Sequence, residues 1–336
     1  MINFKIILNV LGYLLIALSF ILLIPAFLDL AFNNETWQSF IISSIITLGF
    51  GITFFISTRN VAENKIQTQD AFLITTLSWV FICIFGSLPF FLANLNISFT
   101  DSIFESMSGI TTTGATVISN IESLPESLKF YRQLLQWMGG MGLIVLAIAV
   151  MPLLGIGGGQ LFKTDIPGAM GEQRLTPRIQ ETAKALWSIY LGLTVLCAIF
   201  YTIAGMSFFD AVSHSMSTVS IGGFSTYNNS IGHFNNLTIE IICMVFMLLS
   251  AMSFALHYFS IYKSKSLKYF YDPELRFFVS ILLIIFILAL SVNAVSGQSN
   301  LSIRELAFHT VSTVTTTGFG ISDTSTWSFS LSFLLL

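Results

Sequence analysis

Charged side chains are scarce in this chain. Asp, Glu, Lys and Arg make up only 9% of its 336 residues, whereas 54% of the residues are hydrophobic. A water-soluble domain cannot cover its surface with so few charges. The low charge therefore excludes a soluble globular protein and predicts an integral membrane protein.

Cysteine and histidine are also rare. The three cysteines, Cys83, Cys197 and Cys243, lie in apolar runs without a C-x-x-C spacing. They predict buried apolar side chains rather than disulfides or a thiolate metal site. The four histidines are dispersed and form no H-E-x-x-H motif. An intramembrane enzyme would need a metal cluster or a nucleophile beside a base, so no enzymatic activity is predicted.

Long apolar runs, by contrast, are abundant. A helix needs about 20 apolar residues to cross a hydrocarbon core of roughly 30 Å. Seven runs approach or exceed this length and an eighth is about half as long: Ile6 to Leu30, Phe40 to Ser57, Phe72 to Leu95, Leu134 to Leu154, Ala185 to Ala204, Ile241 to Ile261, Phe277 to Val295, and Trp327 to Leu336. The first run is too long for a signal peptide and lacks a small-residue cleavage site, so it is expected to be retained.

The basic residues predict the orientation. With a cytoplasmic N-terminus, 11 of the 14 Lys and Arg residues lie on the inner side, and Lys129, Arg132 and Arg304 lie on the outer side. This distribution follows the positive-inside rule. The N-terminus is therefore predicted to face the cytoplasm.

A 12-residue pattern occurs three times. With Gly114, Gly223 and Gly318 aligned, the segments read ESMSGITTTGAT, HSMSTVSIGGFS and HTVSTVTTTGFG. The first shares four identities with the second and five with the third, and the last two share six. Such internal similarity indicates a repeated structural unit.

Each copy follows a helix-start signal, a serine with an acid three residues later: Ser98 and Asp101, Ser207 and Asp210, Ser302 and Glu305. These pairs are typical of helix capping, and a role in a cation-attracting vestibule is secondary. About 12 residues separate each cap from its loop, and a helix of that length rises only roughly 18 Å. We therefore expect three half-helices that enter from outside and stop midway, where irregular backbone is tolerated only inside protein or beside a water-filled cavity.

The composition of these loops suits a dehydrated monovalent cation. Backbone carbonyls and threonine hydroxyls, as in Thr112 and Thr113, can replace the water shell of the ion without holding it too tightly. A glycine such as Gly114 permits backbone conformations that turn carbonyls toward an axis. The C-terminal end of each half-helix adds partial negative charge. The pattern predicts loops that line an ion pore.

The chain resembles the Trk/Ktr/HKT potassium-transport superfamily, most closely the bacterial TrkH type with two extra N-terminal helices. The resemblance rests on the three loops and on the segments QWMGGMGLIVLAIAVMPLLGIGGGQLF (136–162), TDIPG (164–168) and TAKALWSIYLGLT (182–194). It implies an all-α integral membrane protein in which parallel repeats of helix, re-entrant half-helix with filter loop, and helix surround a pore. It also implies these potassium-binding filter residues: Thr112, Thr113, Gly114, Ile221, Gly222, Gly223, Thr316, Thr317 and Gly318.

The same resemblance implies partners and location. It favours potassium uptake across the cytoplasmic (inner) membrane, with no cofactor and no nucleic acid, by a homodimer. Cytosolic nucleotide-binding regulatory subunits would dock on the basic segments Lys163 to Lys184 and Lys263 to Arg276. It leaves open whether transport is channel-like or coupled to protons or sodium.

The repeats also divide the chain. Residues 1–69 are expected to form two peripheral helices, 70–160 the first pore repeat, 161–268 the second, and 269–336 an incomplete third. The family has four repeats, so a fourth filter loop is expected about 100 residues beyond Gly318, and we expect the sequence to be a truncated or early-stop product.

Two alternatives stay open at this stage. An ion-coupled secondary solute symporter would also use broken helices, although such folds often have inverted repeats. His214 and His309 occupy the position of Glu105 in the first repeat. They could couple protons, but hydrogen bonds that brace the half-helices are the preferred interpretation.

Overall fold

The computed structural model describes residues 2–32, 34–59, 68–150, 175–262, 271–296 and 301–335, and in these ranges the regular structure is helical. The α-helices, numbered α1 to α13 in chain order, are Phe4–Ile21, Leu23–Phe32, Trp37–Ser57, Thr68–Leu92, Phe99–Ile110, Glu126–Val150, Leu175–Ile203, Phe208–Val219, Leu237–Ala251, Phe254–Tyr262, Pro273–Ser296, Ile303–Val314 and Phe329–Leu335. Short 3₁₀ turns lie at Ser230–Phe234 and Thr324–Thr326. The predicted all-α class is confirmed.

Within the described residues, five stretches are long and apolar enough to cross a membrane: Phe4–Phe32, Trp37–Ser57, Gln69–Leu92, Ala183–Ile203 and Pro273–Val295. They coincide with five of the predicted spans. The predicted run from Leu134 to Leu154 belongs to α6, which begins earlier, at Glu126. The last four residues of that run lie outside the described residues.

The predicted span from Ile241 to Ile261 is wrong as a single helix. Helix α9 ends at Ala251, Met252 is extended with φ −72° and ψ 152°, and α10 begins at Phe254. The break leaves helix carbonyls without their usual donors. His257 compensates, because its Nε2 lies 2.8 Å from the carbonyl oxygen of Leu249.

The first span is also interrupted, at Leu22 between α1 and α2. Pro25 accounts for this break. It has no N–H to donate to the carbonyl of Ile21, and its ring crowds that same carbonyl. The sequence run is continuous in hydropathy, so the interruption leaves the total apolar length unchanged.

The chain forms two compact units. The first comprises residues 1–111 and 123–183, and the second comprises 112–122 and 184–336. In the first unit, α1 packs against α3 and α4, and α5 packs against α4 and α6. Helices α1 and α3 approach closely at two glycines, since a Cβ built on Gly12 would lie 3.0 Å from the carbonyl oxygen of Gly51.

The second unit contains all three predicted filter loops. In it α8 and α12 both pack against α9, and α11 packs against α12 and α13. Leu306 of α12, Ala289 of α11 and Leu331 of α13 form a buried apolar cluster there. Cys83 in the first unit and Cys197 and Cys243 in the second are buried, without disulfides, which confirms the burial predicted for them.

Candidate functional site: three filter loops

The three predicted half-helices are present. Helices α5, α8 and α12 each have 12 residues and each begin after a serine cap. The hydroxyls of Ser98, Ser207 and Ser302 accept the N–H three residues on, at 3.1, 3.1 and 3.3 Å. Because such a helix rises roughly 18 Å, it is too short to cross a bilayer, as the sequence predicts.

The acids of the three caps differ in what they bond. Asp101 and Glu305 each accept the backbone N–H of their own cap serine at 2.9 Å, which completes a capping box. These bonds from the Ser98 hydroxyl and N–H lower the pKa of Asp101. Both residues therefore act as the helix caps that the sequence predicts.

Asp210 instead ties its half-helix to the chain beyond the loop. Its carboxylate accepts the hydroxyls of Ser207 at 2.8 Å, Thr226 at 2.7 Å and Tyr227 at 3.1 Å. Partial burial, together with the nearby Asp210 charge, raises the pKa of Tyr227 to about 12. The second repeat thus uses its cap acid to hold the segment that follows the filter.

The filter backbones match in conformation. Thr112, Ile221 and Thr316 have φ of 54°, 56° and 61°, and the glycines two residues later, Gly114, Gly223 and Gly318, have φ of 78°, 81° and 82°. The residues between them, Thr113, Gly222 and Thr317, do not have positive φ. In a uniform strand successive carbonyls alternate sides, whereas φ of alternating sign can turn them to one side. All three glycines therefore adopt the left-handed backbone conformation that glycine accommodates without strain.

The loops also lie side by side. A Cβ built on Gly114 would overlap the carbonyl oxygen of Gly222, and one on Gly223 would overlap that of Thr317. The first loop thus contacts the second and the second contacts the third, at equivalent positions. For Gly318, no atom of the described residues beyond its chain neighbours lies within 4 Å of such a Cβ. Each of the first two glycines is required by close approach as well as by conformation.

One predicted filter hydroxyl is already engaged. The side chain of Thr317 is fully buried, and its Oγ1 lies 2.8 Å from Oγ1 of Thr315. Its hydroxyl therefore stabilises the loop from within. The carbonyl of Thr317, rather than its side chain, is the group placed beside a neighbouring loop.

The position shared by Glu105, His214 and His309 braces each half-helix. His214 is fully buried; its Nδ1 donates to the carbonyl of Asp210 and its Nε2 bonds the Ser225 hydroxyl, both at 2.9 Å. His309 Nε2 lies 3.1 Å from the Ser322 hydroxyl. Both histidines thus make the bracing bonds preferred at the sequence level, and in each repeat the partner lies beyond the filter glycine.

Glu105 has a different partner that sequence reasoning missed. Its Oε1 lies 2.6 Å from Nε of Arg132 on α6, and both side chains are fully buried. Arg304 similarly contacts Glu240 with Nε and Nη2 at 2.6 and 2.5 Å, with its own side chain 39% exposed. Counting Arg132 and Arg304 as outer-side charges gave no sign of these pairs. The available signal was Glu105 itself, an acid where the other repeats have histidine.

A glycine of α6 contacts the end of the first half-helix. A Cβ built on Gly139 would overlap the carbonyl oxygen of Ile110, the last residue of α5, whereas one on Gly142 meets no described atom within 4 Å. Of these two glycines of α6, only Gly139 therefore lies at a close approach to another described helix. The residue that Gly139 contacts, Ile110, lies two residues before the first filter residue, Thr112.

Capped 12-residue helices that each lead into a loop with a left-handed glycine, in a chain that also has apolar helices long enough to cross a membrane, indicate a helical membrane transport protein. The family model described as "TrkH: Cation transport protein" matches residues 36–336. The chain belongs to the TrkH family.

Curated relatives and a solved structure support this assignment. The Trk system potassium uptake protein TrkH of Halomonas elongata is 47% identical over 336 residues, which cover 99% of this chain and 70% of the relative. The Escherichia coli K12 protein of the same name is 40% identical, with the same coverage. The crystal structure of the potassium transporter TrkH from Vibrio parahaemolyticus superposes with a TM-score of 0.88 at 40% identity, over 99% of this chain and 69% of that one.

Proposed function

We propose that this protein takes up potassium as the membrane-spanning subunit of a Trk-type system. The relatives named potassium uptake proteins support this substrate. The single observation that carries the proposal is the contact between equivalent filter loops, in which the glycine of one loop meets a carbonyl of the next. The solute symporter finds no support among these relatives.

The ion is held, in this proposal, by the backbone carbonyls of the filter residues, Thr112, Thr113, Gly114, Ile221, Gly222, Gly223, Thr316, Thr317 and Gly318. Carbonyl oxygens replace the water lost by a monovalent cation without adding a full charge. Each loop follows the C-terminal end of its own half-helix, whose partial negative charge favours a cation. The repeats would surround the pore in parallel, and no cofactor is needed for this passage.

The proposal extends to location and partners. The protein would lie in the cytoplasmic membrane with its N-terminus in the cytoplasm, as a homodimer. Nucleotide-binding regulatory subunits would dock on the basic segments Lys163 to Lys184 and Lys263 to Arg276. Residues 163–174 and 263–270 of these segments lie outside the described residues. The rule that basic residues stay on the cytosolic side supports this placement.

Replacing Gly114 tests the filter. The change Gly114→Ser introduces a side chain at φ 78° and against the carbonyl of Gly222. We expect the preference for potassium over sodium to fall about tenfold, which corresponds to roughly 1.4 kcal/mol. The uptake of potassium and of sodium is measured in a bacterial strain that lacks other potassium uptake systems and carries the gene for this protein.

Gly192→Ser is the matched control, because a Cβ on Gly192 of α7 meets no described atom within 4 Å. It should leave ion preference unchanged. If Gly114→Ser retained the original preference at normal protein levels, the filter assignment would be wrong.

A further inference from the structure

Beyond each filter glycine the chain returns through an irregular segment. We name these return segments 1, 2 and 3, for residues 115–122, 224–236 and 319–328. All three belong to the second compact unit. They are therefore the places where neighbouring repeats can be joined outside the filter itself.

Return segments 1 and 2 are joined through Asn228. Its side-chain Oδ1 accepts the backbone N–H of Ile121 at 3.0 Å. Its own backbone N–H donates to Oε1 of Glu122 at 3.3 Å. One exposed asparagine thus bonds two consecutive residues that precede it by 107 and 106 positions. Only the bond to Ile121 uses the Asn228 side chain, whereas the bond to Glu122 uses its backbone N–H. The side-chain amide is therefore the part of this junction that a substitution can remove.

Return segments 2 and 3 are joined at Gly320, through both its N–H and its carbonyl. Gly232 N–H donates to the carbonyl of Gly320 at 3.0 Å, and Gly320 N–H donates to the Ser230 hydroxyl at 3.2 Å. A Cβ on Gly232 would lie 2.8 Å from the carbonyl oxygen of Ile321. The approach is close enough to leave little freedom between these two segments.

These bonds form a second layer of contact that repeats the order seen at the filter. Loop 1 meets loop 2 at Gly114 and Gly222, and again at Ile121 and Asn228. Loop 2 meets loop 3 at Gly223 and Thr317, and again at Gly232 and Gly320. Two attachment points on each pair of loops fix their spacing, where one point would allow rotation.

We propose that Asn228 is a positioning residue for ion selection, which holds the first filter loop at its working distance from the second. This inference rests on the proposed filter, since spacing matters only if the carbonyls select the ion. Selection between cations of equal charge depends on the size of the cavity that the coordinating oxygens form and on the number and field strength of the carbonyl dipoles. A loop that can move away from its neighbour therefore discriminates less.

Asn228→Ala removes the acceptor for Ile121, and Asn229→Ala is its matched control. Asn229 is the adjacent residue, of the same type, also exposed, and it makes no side-chain cap bond at its 3₁₀ turn. We expect Asn228→Ala to lower the preference for potassium over sodium at least threefold, with a higher KM for potassium. The maximum rate and the amount of protein in the membrane should match those of Asn229→Ala.

A second pair of variants tests the same bond by charge. Asn228→Asp keeps the acceptor but places a carboxylate beside Glu122, and like charges this close repel. We expect this variant to have a lower preference for potassium over sodium, and the combination of Asn228→Asp with Glu122→Gln to regain that preference. If Asn228 contributed only to stability, the variants would change the amount of protein or the maximum rate and leave the ion preference unchanged.

The outcomes separate the two proposals. Equal ion preference in Asn228→Ala and Asn229→Ala, or failure of the combined variant to recover, overturns the role of Asn228. If Gly114→Ser nevertheless lowers the preference for potassium over sodium in the same assay, the filter assignment holds and only the role of Asn228 is rejected. If neither Gly114→Ser nor Asn228→Ala changes the preference, the filter assignment itself is overturned.

Discussion

At the scale of single residues, the filter holds backbone strain that a glycine would avoid. Thr112, Ile221 and Thr316 all have β-branched side chains and all have φ between 54° and 61°. Left-handed conformations are rare for such residues and cost about 1 to 3 kcal/mol each. Strain of this kind persists only where surrounding contacts fix the backbone. Its recurrence at one position in all three loops supports the functional role proposed for these loops.

The buried ion pair of the first repeat allows a direct prediction. Arg132→Met would leave Glu105, which is fully buried, without its cation. Removing one partner of a buried pair typically costs about 3 to 5 kcal/mol, whereas replacing both by apolar residues is often neutral. We expect this loss for Arg132→Met in the free energy of unfolding, measured by denaturant titration in detergent.

The double variant Glu105→Leu with Arg132→Met is the control for that prediction. It should recover most of the stability, because no buried charge remains. A loss below about 1 kcal/mol for Arg132→Met alone would mean that Glu105 is neutral or solvated.

These residues also show where prediction from sequence ended. The glycines could be assigned because glycine adopts the left-handed conformation without strain. The strained Thr112, Ile221 and Thr316 could not, since their side chains favour ordinary strand geometry. Arg132 was placed on the outer side by charge counting, which assigns a side of the membrane and contains no information on burial.

At the scale of helices, local signals in the sequence predicted the half-helices well. The serine caps and the loop glycines define both ends of α5, α8 and α12, and all three agree in length. The breaks at Leu22 and Met252 were missed because hydropathy does not change across them. Pro25 was a usable signal for the first break, whereas the second has no proline or glycine at the break itself.

The contact between α6 and α5 gives an element-scale prediction. Gly139→Ala places a methyl group on the carbonyl of Ile110 and must displace the end of α5. Overpacking of this kind costs about 1 to 3 kcal/mol. Because the filter begins two residues later, at Thr112, we expect potassium uptake to fall together with thermal stability.

Gly142→Ala is the matched control on the same helix. Its Cβ meets no described atom within 4 Å, and alanine favours a helix interior over glycine by roughly 0.5 to 1 kcal/mol. We expect unchanged or slightly higher stability and normal uptake. Equal effects of the two changes would contradict the close approach at Gly139.

At the scale of the whole molecule, the repeats explain how one chain builds similar loops from different residues. Aligning the three repeats of this chain with one another predicted which positions are equivalent, such as Gly114, Gly223 and Gly318. It could not predict that Gly114 meets the carbonyl of Gly222, or that Asn228 bonds Ile121. Such contacts depend on how repeats pack in space, and a single sequence contains no direct record of packing.

The joined loops predict that potassium stabilises the folded protein. An ion that binds only the folded state adds RT ln(1 + [K⁺]/Kd), which is about 2.7 kcal/mol at 100 times Kd. Melting temperature in detergent should therefore rise with potassium concentration at constant ionic strength, and rise less with sodium. Gly114→Ser should lose this potassium-specific rise, because its side chain displaces the carbonyl of Gly222, whereas Gly192→Ser should retain it. Identical melting curves in potassium and sodium for the unmodified chain would show that its three loops do not discriminate between the two ions.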